Sequence, residues 1–344
     1  MSTAAETHGI ELVMPRPLRS LATHLEASEG QTVSWFAFLP QRLQQQPDLL
    51  AAAVAHVPKI TAEKWFRTST CTSCSTFEGE AESDASSEQA SSVTGQVWEL
   101  SMDPVGCYRV QEALEQAASE EDRCALAQEL RGHVCQVISC PHGNHVLQKC
   151  ITTMQPESLQ FIIDELTQHE GSVVRAAKHR YGCRIVQHLL RTCPPTQVSR
   201  IAGRLLEEAA ALACHSYGTY TLQRMLEFGT EEQRYQLVRC VERNATRIGL
   251  SPVGGGVLEA AINHAALKDK VWIARAVAQD PKVLVAMART KVGHSCVLLV
   301  LENLQQGEFQ SVFAGLAQHL DTLRASRFGR KVAAEVCRLN GPAQ

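Results

Sequence analysis

A glycine-led pattern repeats along most of this 344-residue chain, with 36 to 39 residues between successive glycines. In each full copy an apolar residue stands four positions after the glycine, and glutamine or glutamate stands five positions after it. The full copies are residues 106–111, 143–148, 182–187, 218–223 and 254–259. Two weaker copies begin at Gly293 and Gly329 and lack the polar residue. A sustained period of this length in a helix-rich sequence is typical of an α-solenoid, whose repeats bury their apolar faces against one another.

The third copy separates into two faces when it is placed on an α-helix. Polar and small side chains share one arc: Cys183, Arg184, Gln187, His188 and Arg191. Apolar side chains share the other arc: Ile185, Val186, Leu189, Leu190 and Cys193. The position eight residues after each glycine falls on the apolar arc, so we expect it to be buried in every copy. Its occupants are Leu114, Ile151, Leu190, Leu226, Ile262, Leu301 and Cys337.

Shorter helical segments flank each glycine-led helix. In the first copy, Val97–Met102 is predicted to form a short helix, and Pro104 lies in the break before Gly106 because proline cannot continue a helical ladder. A third segment closes most copies, for example residues 156–168. The sequence therefore predicts an all-α solenoid of about seven three-helix repeats over residues 95–344.

Composition limits the classes of function. Hydrophobic residues make up 44% of the chain, which is enough for a core. Residues 1–92 carry 6 basic and 11 acidic side chains, and residues 93–344 carry 27 and 25. The repeat region is thus close to neutral, which argues against bulk phosphate neutralisation as its main source of affinity.

Thirteen cysteines without a secretory segment indicate a reducing compartment. Glu6 and Glu11 interrupt the N-terminal stretch, so we expect no signal peptide. No apolar run approaches the ~18 residues that a membrane span requires, and we expect no membrane association.

Two further regions precede the repeats. Residues 1–67 contain a few apolar patches and are predicted to form short helices, whereas residues 68–94 are rich in Ser, Thr and Glu and are predicted to be disordered. Cys71 and Cys74 form a CxxC motif, but a zinc site needs a second pair of ligands at suitable spacing. We interpret these two residues as linker cysteines and expect neither a metal nor a cofactor.

Three segments of the repeat region resemble the Pumilio (PUF) family of single-stranded RNA-binding repeats: residues 104–115 (PVGCYRVQEALE), 142–151 (HGNHVLQKCI) and 181–187 (YGCRIVQ). The resemblance extends over roughly residues 95–340, most clearly in the first four copies. Seven copies are visible, where typical members of the family carry eight. The resemblance implies a right-handed superhelix whose concave face binds RNA without catalysis, with one base at each repeat.

The same resemblance assigns a role to three positions of each repeat. The residues one and five positions after the glycine form an edge pair that hydrogen-bonds one base, and the residue two positions after it stacks on bases. The edge pairs are Cys107/Gln111, Asn144/Gln148, Cys183/Gln187, Thr219/Gln223 and Gly255/Glu259. The stacking residues are Tyr108, His145, Arg184 and Tyr220. Gly256 offers no side chain for this purpose.

In the family, Cys with Gln corresponds to adenine, Asn with Gln to uracil, and a small residue with Glu to guanine. Glutamate only accepts hydrogen bonds, which suits the N1–H and N2–H₂ donors of guanine. Because the family runs antiparallel to its RNA, the expected element is 5′-NNG(A/N)AUA-3′. The last two copies do not fit this code, since Leu298 and Ala334 replace the polar edge residue.

The expected function is therefore sequence-specific binding of single-stranded RNA, in particular messenger RNA through its 3′ untranslated region, for post-transcriptional regulation. The expected protein is a cytoplasmic monomer that recruits protein effectors on its convex face. A nucleolar protein of ribosomal RNA processing is the first alternative, and a protein-binding solenoid of the HEAT or armadillo type is the second. An enzyme would rest on His142 and His145 or on the CxxC motif, and neither has a third ligand or base nearby in the sequence.

Overall fold

The computed structural model describes residues 93–340 of the chain. The predicted helical region 1–67, nearly all of the predicted linker 68–94, and the Cys71–Cys74 motif lie outside the described residues. What we infer for them from the sequence therefore remains a prediction.

Within residues 93–340 the chain forms α-helices in a recurring order of three. The first helices of the repeats are α1 Val97–Met102, α4 Val134–Ser139, α7 Ser172–Lys178, α10 Ala209–Leu212, α13 Ala245–Leu250, α16 Pro281–Ala288 and α19 Leu320–Arg324. The second helices are α2 Gly106–Gln116, α5 Gly143–Thr153, α8 Gly182–Thr192, α11 Gly218–Phe228, α14 Gly255–His264, α17 Gly293–Asn303 and α20 Gly329–Asn340. The third helices are α3 Glu120–Gln128, α6 Gln160–Gln168, α9 Ser199–Glu207, α12 Glu231–Arg243, α15 Leu267–Ala278 and α18 Gln306–Ala317.

These boundaries confirm the predicted repeat, with two local differences. The predicted third segment 156–168 begins as a 3₁₀-helix, Pro156–Leu159, before α6. The second helix of the fifth repeat begins at Gly255 rather than at Gly254, although Gly254 already has helical torsion angles, φ −70° and ψ −24°.

The glycine at the start of each second helix is required by a close approach to the first helix of the same repeat. A Cβ atom at Gly106 would lie 2.7 Å from the carbonyl oxygen of Leu100, and one at Gly182 would lie 2.7 Å from that of Ala176. Any larger residue would force the two helices apart. The repeated glycine therefore marks the sharp corner between the first and second helices.

A polar residue three positions before several of these glycines satisfies backbone N–H groups of the first turn, which have no partner inside the helix. Asp103 Oδ2 accepts a hydrogen bond from the backbone N–H of Gly106 at 2.6 Å. Thr290 Oγ1 accepts one from Gly293 at 2.8 Å. The break between the helices thus supplies the cap of the second helix.

The third helix is tied to the start of the first helix in the first two repeats. The carboxylate of Glu129 accepts hydrogen bonds from the backbone N–H groups of Gly95 at 2.7 Å and Val97 at 2.9 Å. Glu165 does the same for Gly132 at 2.6 Å and Val134 at 3.1 Å. Gly95 and Gly132 both have a φ of +84°, a left-handed conformation that glycine adopts without strain.

The position eight residues after the glycine is buried in the first six repeats, as the sequence predicts. Its side chains are at most 5% exposed: Leu114, Ile151, Leu190, Leu226, Ile262 and Leu301. The prediction is wrong for the seventh repeat, where Cys337 is exposed.

Each second helix packs on the second helix of the next repeat, from α2 through α5, α8, α11, α14 and α17 to α20. The array is therefore a continuous all-α, right-handed solenoid in which the second helices share one face. None of the helices in the described part of the chain has the length and apolar character needed to cross a bilayer.

We predict that truncating the buried position of a central repeat destabilises the protein. Ile151 is fully buried and Leu190 is 5% exposed, so Ile151→Ala and Leu190→Ala should each lower the free energy of unfolding by about 2–5 kcal/mol. Cys337→Ala, at the equivalent exposed position, is the matched control and should change it by less than about 0.5 kcal/mol. Urea denaturation measures all three variants, and similar values for them would contradict the assigned packing.

Candidate nucleic-acid interface

The shared face of the second helices exposes the residue two positions after the glycine. Tyr108 is 62% exposed and Tyr220 is 50% exposed, and His145 and Arg184 are also exposed. Large aromatic side chains are normally buried, so their regular exposure at one helical position calls for a ligand that covers them. All four predicted stacking residues are thus accessible.

The residue five positions after the glycine lies at the border between surface and core, and in the first four repeats it is a glutamine. Each of these glutamines donates its Nε2 back to the residue one turn earlier. The acceptors are Cys107 O at 3.0 Å from Gln111, Asn144 Oδ1 at 2.8 Å from Gln148, Cys183 O at 2.8 Å from Gln187, and Thr219 Oγ1 at 3.3 Å from Gln223. An amide has two N–H donors and a carbonyl acceptor, so each glutamine retains hydrogen-bonding capacity for a ligand.

The residue one position after the glycine is buried in all five predicted edge pairs. The prediction that Cys183 shares an accessible arc with Arg184 is therefore wrong, since Cys183 is only 3% exposed. Its Sγ donates to the carbonyl oxygen of Arg180 at 3.6 Å, and Cys107 Sγ likewise donates to Pro104 at 3.4 Å. Asn144 is fully buried, and its Nδ2 donates to the carbonyl oxygens of residues 140 and 141 at 2.8 and 2.9 Å.

In the fifth repeat this burial comes from close packing between repeats. At Gly255 a Cβ atom would lie 2.6 Å from Cα of Gly293, which begins the second helix of the next repeat. The first position of this pair therefore lies against the neighbouring repeat. In this structure the two members of each pair are adjacent, but it is the second member that reaches the surface.

Neighbouring repeats bring their polar positions into one row. A Cβ atom at Gly256 would lie 3.0 Å from Nε2 of Gln223. The residue five positions after the glycine of one repeat therefore borders the residue two positions after the glycine of the next. Ser295 Oγ donates to Glu259 Oε2 at 2.7 Å across the following boundary. We call this row the strip: it consists of the residues two and five positions after the glycine in repeats 1 to 5, namely Tyr108, Gln111, His145, Gln148, Arg184, Gln187, Tyr220, Gln223, Gly256 and Glu259.

Three arginines surround His188 near the centre of the strip, and one of them, Arg224, is paired with Glu227. Partial burial, followed by the positive charges of Arg191, Arg224 and Arg184, lowers the pKa of His188 to about 4. Partial desolvation, followed by the charge of Arg184, also lowers the pKa of His145 in the second repeat. His188 is thus neutral at pH 7 and lies among arginines of the third and fourth repeats.

At one end of the strip, Glu115 of the first repeat forms an ion pair with Lys149 of the second at 3.0 Å.

Histidines cap the second helices of the third and fourth repeats, and the sequence analysis did not predict these caps. His179 Nδ1 accepts from the backbone N–H of Gly182 at 3.3 Å, and His215 Nδ1 accepts from that of Gly218 at 3.3 Å. Both nitrogens must be unprotonated to accept these bonds. The signal was available, because aligning the copies on their glycines places a capping type of residue three positions earlier in most of them: Asp103, His179, His215, Ser251, Thr290 and Ser326.

The last two repeats use the equivalent positions for contacts with each other. His294 stacks on Phe328 with ring centroids 5.5 Å apart, and its Nε2 lies 3.4 Å from Nζ of Lys331. Leu298 packs against the hydrophobic core. These contacts are consistent with the prediction that the two repeats depart from the pattern of the first five.

The fold and the strip define the class of this protein: it is an α-solenoid repeat protein with a continuous polar and aromatic row on its second helices. Comparison with known families is more specific, since the family model of the Pumilio-family RNA binding repeat matches residues 96–131, 133–167, 172–206 and 209–241. These segments are the first four repeats. The first four repeats of this chain are thus similar in sequence to the Pumilio-family repeat.

Similar proteins occur in plants and fungi. Pumilio homolog 12 of Arabidopsis thaliana is 22% identical over 238 residues, which cover 69% of this chain and 39% of the relative. A Pumilio domain-containing protein of Schizosaccharomyces pombe is 22% identical over 239 residues, which cover 69% of this chain and 34% of the relative. The chain thus matches between a third and two fifths of the length of these two relatives.

Two solved structures share the fold. The crystal structure of PUF-8 in complex with PBE-RNA aligns with a TM-score of 0.65 and 22% identity, covering 75% of each chain. The Puf3 RNA binding domain bound to a Cox17 RNA 3′ UTR recognition sequence aligns with a TM-score of 0.62 and 23% identity, covering 73% of this chain and 76% of that one.

We predict that acid destabilises the fold through His188. Its pKa is about 4 in the folded protein and about 6.5 in an unfolded chain, so the unfolded state binds more protons as the pH falls below about 6.5. The stability that neutral His188 contributes is fully present above about pH 6.5 and is lost as the pH falls toward 4. Urea denaturation should show that His188→Gln reduces the loss of stability between pH 7.5 and pH 5 by about 2 kcal/mol. His169→Gln, at an exposed position, should behave as wild type, and an unchanged pH dependence in both variants would contradict the assignment.

Proposed function

We propose that the repeat array binds single-stranded RNA along the strip, with one base at each of the first five repeats. The observation that carries this proposal is the alternation, over four successive repeats, of an exposed aromatic or cationic side chain with a glutamine amide. The match of the first four repeats to the Pumilio-family RNA binding repeat supports it. PUF-8 and the Puf3 domain, which share the fold, are bound to RNA in their structures.

The chemistry of unpaired bases suits this arrangement. Each base has a flat π-face, which stacks on Tyr108, His145, Arg184 or Tyr220, and a polar edge that hydrogen-bonds with an amide or carboxylate. Stacking contributes affinity for any base, whereas the edge contact distinguishes among bases. The arginines of the third and fourth repeats add attraction for the phosphates without making the whole surface basic.

The edge pairs assign one base to each repeat. By the family code, Cys107/Gln111 and Cys183/Gln187 bind adenine, Asn144/Gln148 binds uracil, and Gly255/Glu259 binds guanine. Thr219/Gln223 is tolerant with a bias toward adenine. Since the chain runs antiparallel to the RNA, the proposed element is 5′-NNG(A/N)AUA-3′.

The burial of the first member of each pair adds a condition to this assignment. Gln148 Nε2 holds Asn144 Oδ1 at 2.8 Å, and Asn144 has no exposed surface. Gln148 is therefore the residue of this pair that is accessible to the uracil, and Asn144 orients Gln148. A direct contact between Asn144 and the base requires Gln148 to release it.

The biological role that follows is post-transcriptional regulation of messenger RNAs bound through their 3′ untranslated regions. We propose a cytoplasmic monomer that acts without catalysis and recruits protein effectors on the face opposite the strip. A nucleolar role in ribosomal RNA processing is the alternative among RNA-binding functions.

A protein-binding solenoid is the alternative from another class, and the near-neutral charge of the repeat region favours it. The exposed stacking residues favour RNA. Fluorescence polarisation with labelled 5′-UUGAAUA-3′ and the full chain separates the two classes, because an RNA complex weakens as salt is raised. Absence of binding to this RNA and to a random-sequence RNA pool would contradict the proposed function.

We predict that removing one stacking side chain weakens RNA binding without unfolding the protein. Tyr220 is 50% exposed on the strip, and Tyr235 is 49% exposed on the third helix α12. Tyr220→Ala should cost about 1–3 kcal/mol of binding free energy, whereas Tyr235→Ala should leave affinity unchanged. Equal effects of the two substitutions in the polarisation titration would show that the strip is not the binding surface.

We predict that the second repeat can be changed from uracil to guanine preference. Asn144→Ser together with Gln148→Glu removes the amide donors and presents a carboxylate, which suits the donors of guanine. The expected change in discrimination is about 1–3 kcal/mol, measured by competition among RNAs that differ only at the predicted uracil. Leu298→Ala is the control and should alter affinity for all of these RNAs alike or not at all. If the double variant ranks the four bases as wild type does, one base per repeat is the wrong model.

A further inference from the structure

Glu259 differs from the glutamines at the equivalent position because its partner lies in the next repeat. Its Oε2 accepts a hydrogen bond from Ser295 Oγ at 2.7 Å, a contact that is partly buried. No ion pair formed by the described residues includes Glu259. A carboxylate is thus held in a fixed orientation on the strip by a neutral donor.

Glycines bring the two repeats close enough for this contact. A Cβ atom at Gly255 would lie 2.6 Å from the Cα of Gly293, which is too close for a side chain at this position. Gly256 places no side chain on the strip, so the fifth repeat has an edge group but no stacking group of its own. A base bound there depends on its edge contact more than the bases bound at the first four repeats.

Ser295 stands two positions after its glycine, the position that Tyr108, His145, Arg184 and Tyr220 occupy in the first four repeats. Its hydroxyl also lies 3.3 Å from the carbonyl oxygen of Val292. A hydroxyl carries one hydrogen, and the shorter contact to a charged acceptor is the stronger of the two. The sixth repeat therefore uses its stacking position to orient a side chain of the fifth.

We propose that Ser295 is a positioning residue for guanine recognition by Glu259, an inference that rests on the proposed function. The Ser295 hydroxyl holds Oε2, so the carboxylate cannot rotate freely. Oε1 and the remaining lone pair of Oε2 then face a base edge as two adjacent acceptors.

Guanine is the base that satisfies two adjacent acceptors, because its N1–H and N2–H₂ are neighbouring donors. Adenine, cytosine and uracil each place a ring nitrogen or carbonyl acceptor beside their single donor group, and that acceptor would face the negative charge. A carboxylate with no cation partner also repels RNA phosphates. The two hydrogen bonds from guanine offset that repulsion, and the other bases cannot supply both.

The test measures base preference at one position with the full chain. Polarisation titrations use 5′-UUGAAUA-3′ and its three variants at the guanine. Wild type should bind the guanine RNA about tenfold more tightly than the adenine RNA, which corresponds to the lower part of the range for bidentate contacts. Ser295→Ala should lower that ratio at least about threefold, within the same range, while its affinity for the adenine RNA stays unchanged. Ser295→Thr retains the hydroxyl and should keep the wild-type ratio.

One further variant and one further measurement complete the comparison. Glu259→Gln should abolish the guanine preference, because an amide presents a donor where the second acceptor stood. Ser295→Ala should leave the uracil preference of the second repeat unchanged, which shows that its effect is local. Thermal melts establish that each variant is folded.

Four outcomes would overturn the proposal: equal affinity of wild type for the guanine and adenine RNAs, a wild-type ratio in Ser295→Ala, equal weakening of all four RNAs by Ser295→Ala, or loss of the ratio in Ser295→Thr. In all four cases the RNAs still bind, so RNA binding along the strip stands. The first outcome would also remove the assignment of guanine to the fifth repeat. Failure of wild type to bind any of these RNAs would instead remove the proposed function, and this inference with it.

Discussion

The architecture depends on the contact between the glycine of each second helix and the last turn of the first helix. A Cβ atom at Gly106 or Gly182 would lie 2.7 Å from a backbone carbonyl oxygen of that turn, so the corner closes only when no side chain is present. The sharp corner places successive second helices against one another. It also sets their rotation, because the residue two positions after the glycine then faces solvent and the residue eight positions after it faces the core.

The repeat, its helices and its buried positions follow from the sequence because they depend on local periodicity. The spacing of Gly182, Val186 and Leu190 predicts both the start of α8 and its packed face, and the structure confirms both. Cys337 shows the limit of this reasoning, since it occupies an apolar position of the pattern and is nevertheless exposed. Burial there depends on a neighbouring helix, which a periodic pattern does not reveal.

The sequence predicts where the residues of the candidate site lie along the chain, but not which of them are buried. Exposure of Tyr108 and Tyr220 follows from the helical phase, whereas the burial of Asn144 and Cys183 depends on the packing around them in three dimensions. The hydrogen bond between Ser295 and Glu259 likewise joins residues 36 positions apart, and no motif links them. Contacts between repeats depend on how closely the helices approach, and that distance is set by glycines whose effect appears only in three dimensions.

The buried first member of each edge pair has a consequence for how such an array can change its target. Asn144, Cys183 and Thr219 are buried, and each accepts a hydrogen bond from the glutamine one turn later. A substitution at this position alters the packing of a buried site and the orientation of the glutamine together. On the proposed function, a change of base preference is therefore constrained by folding, because the volume of the buried site limits which side chains fit there.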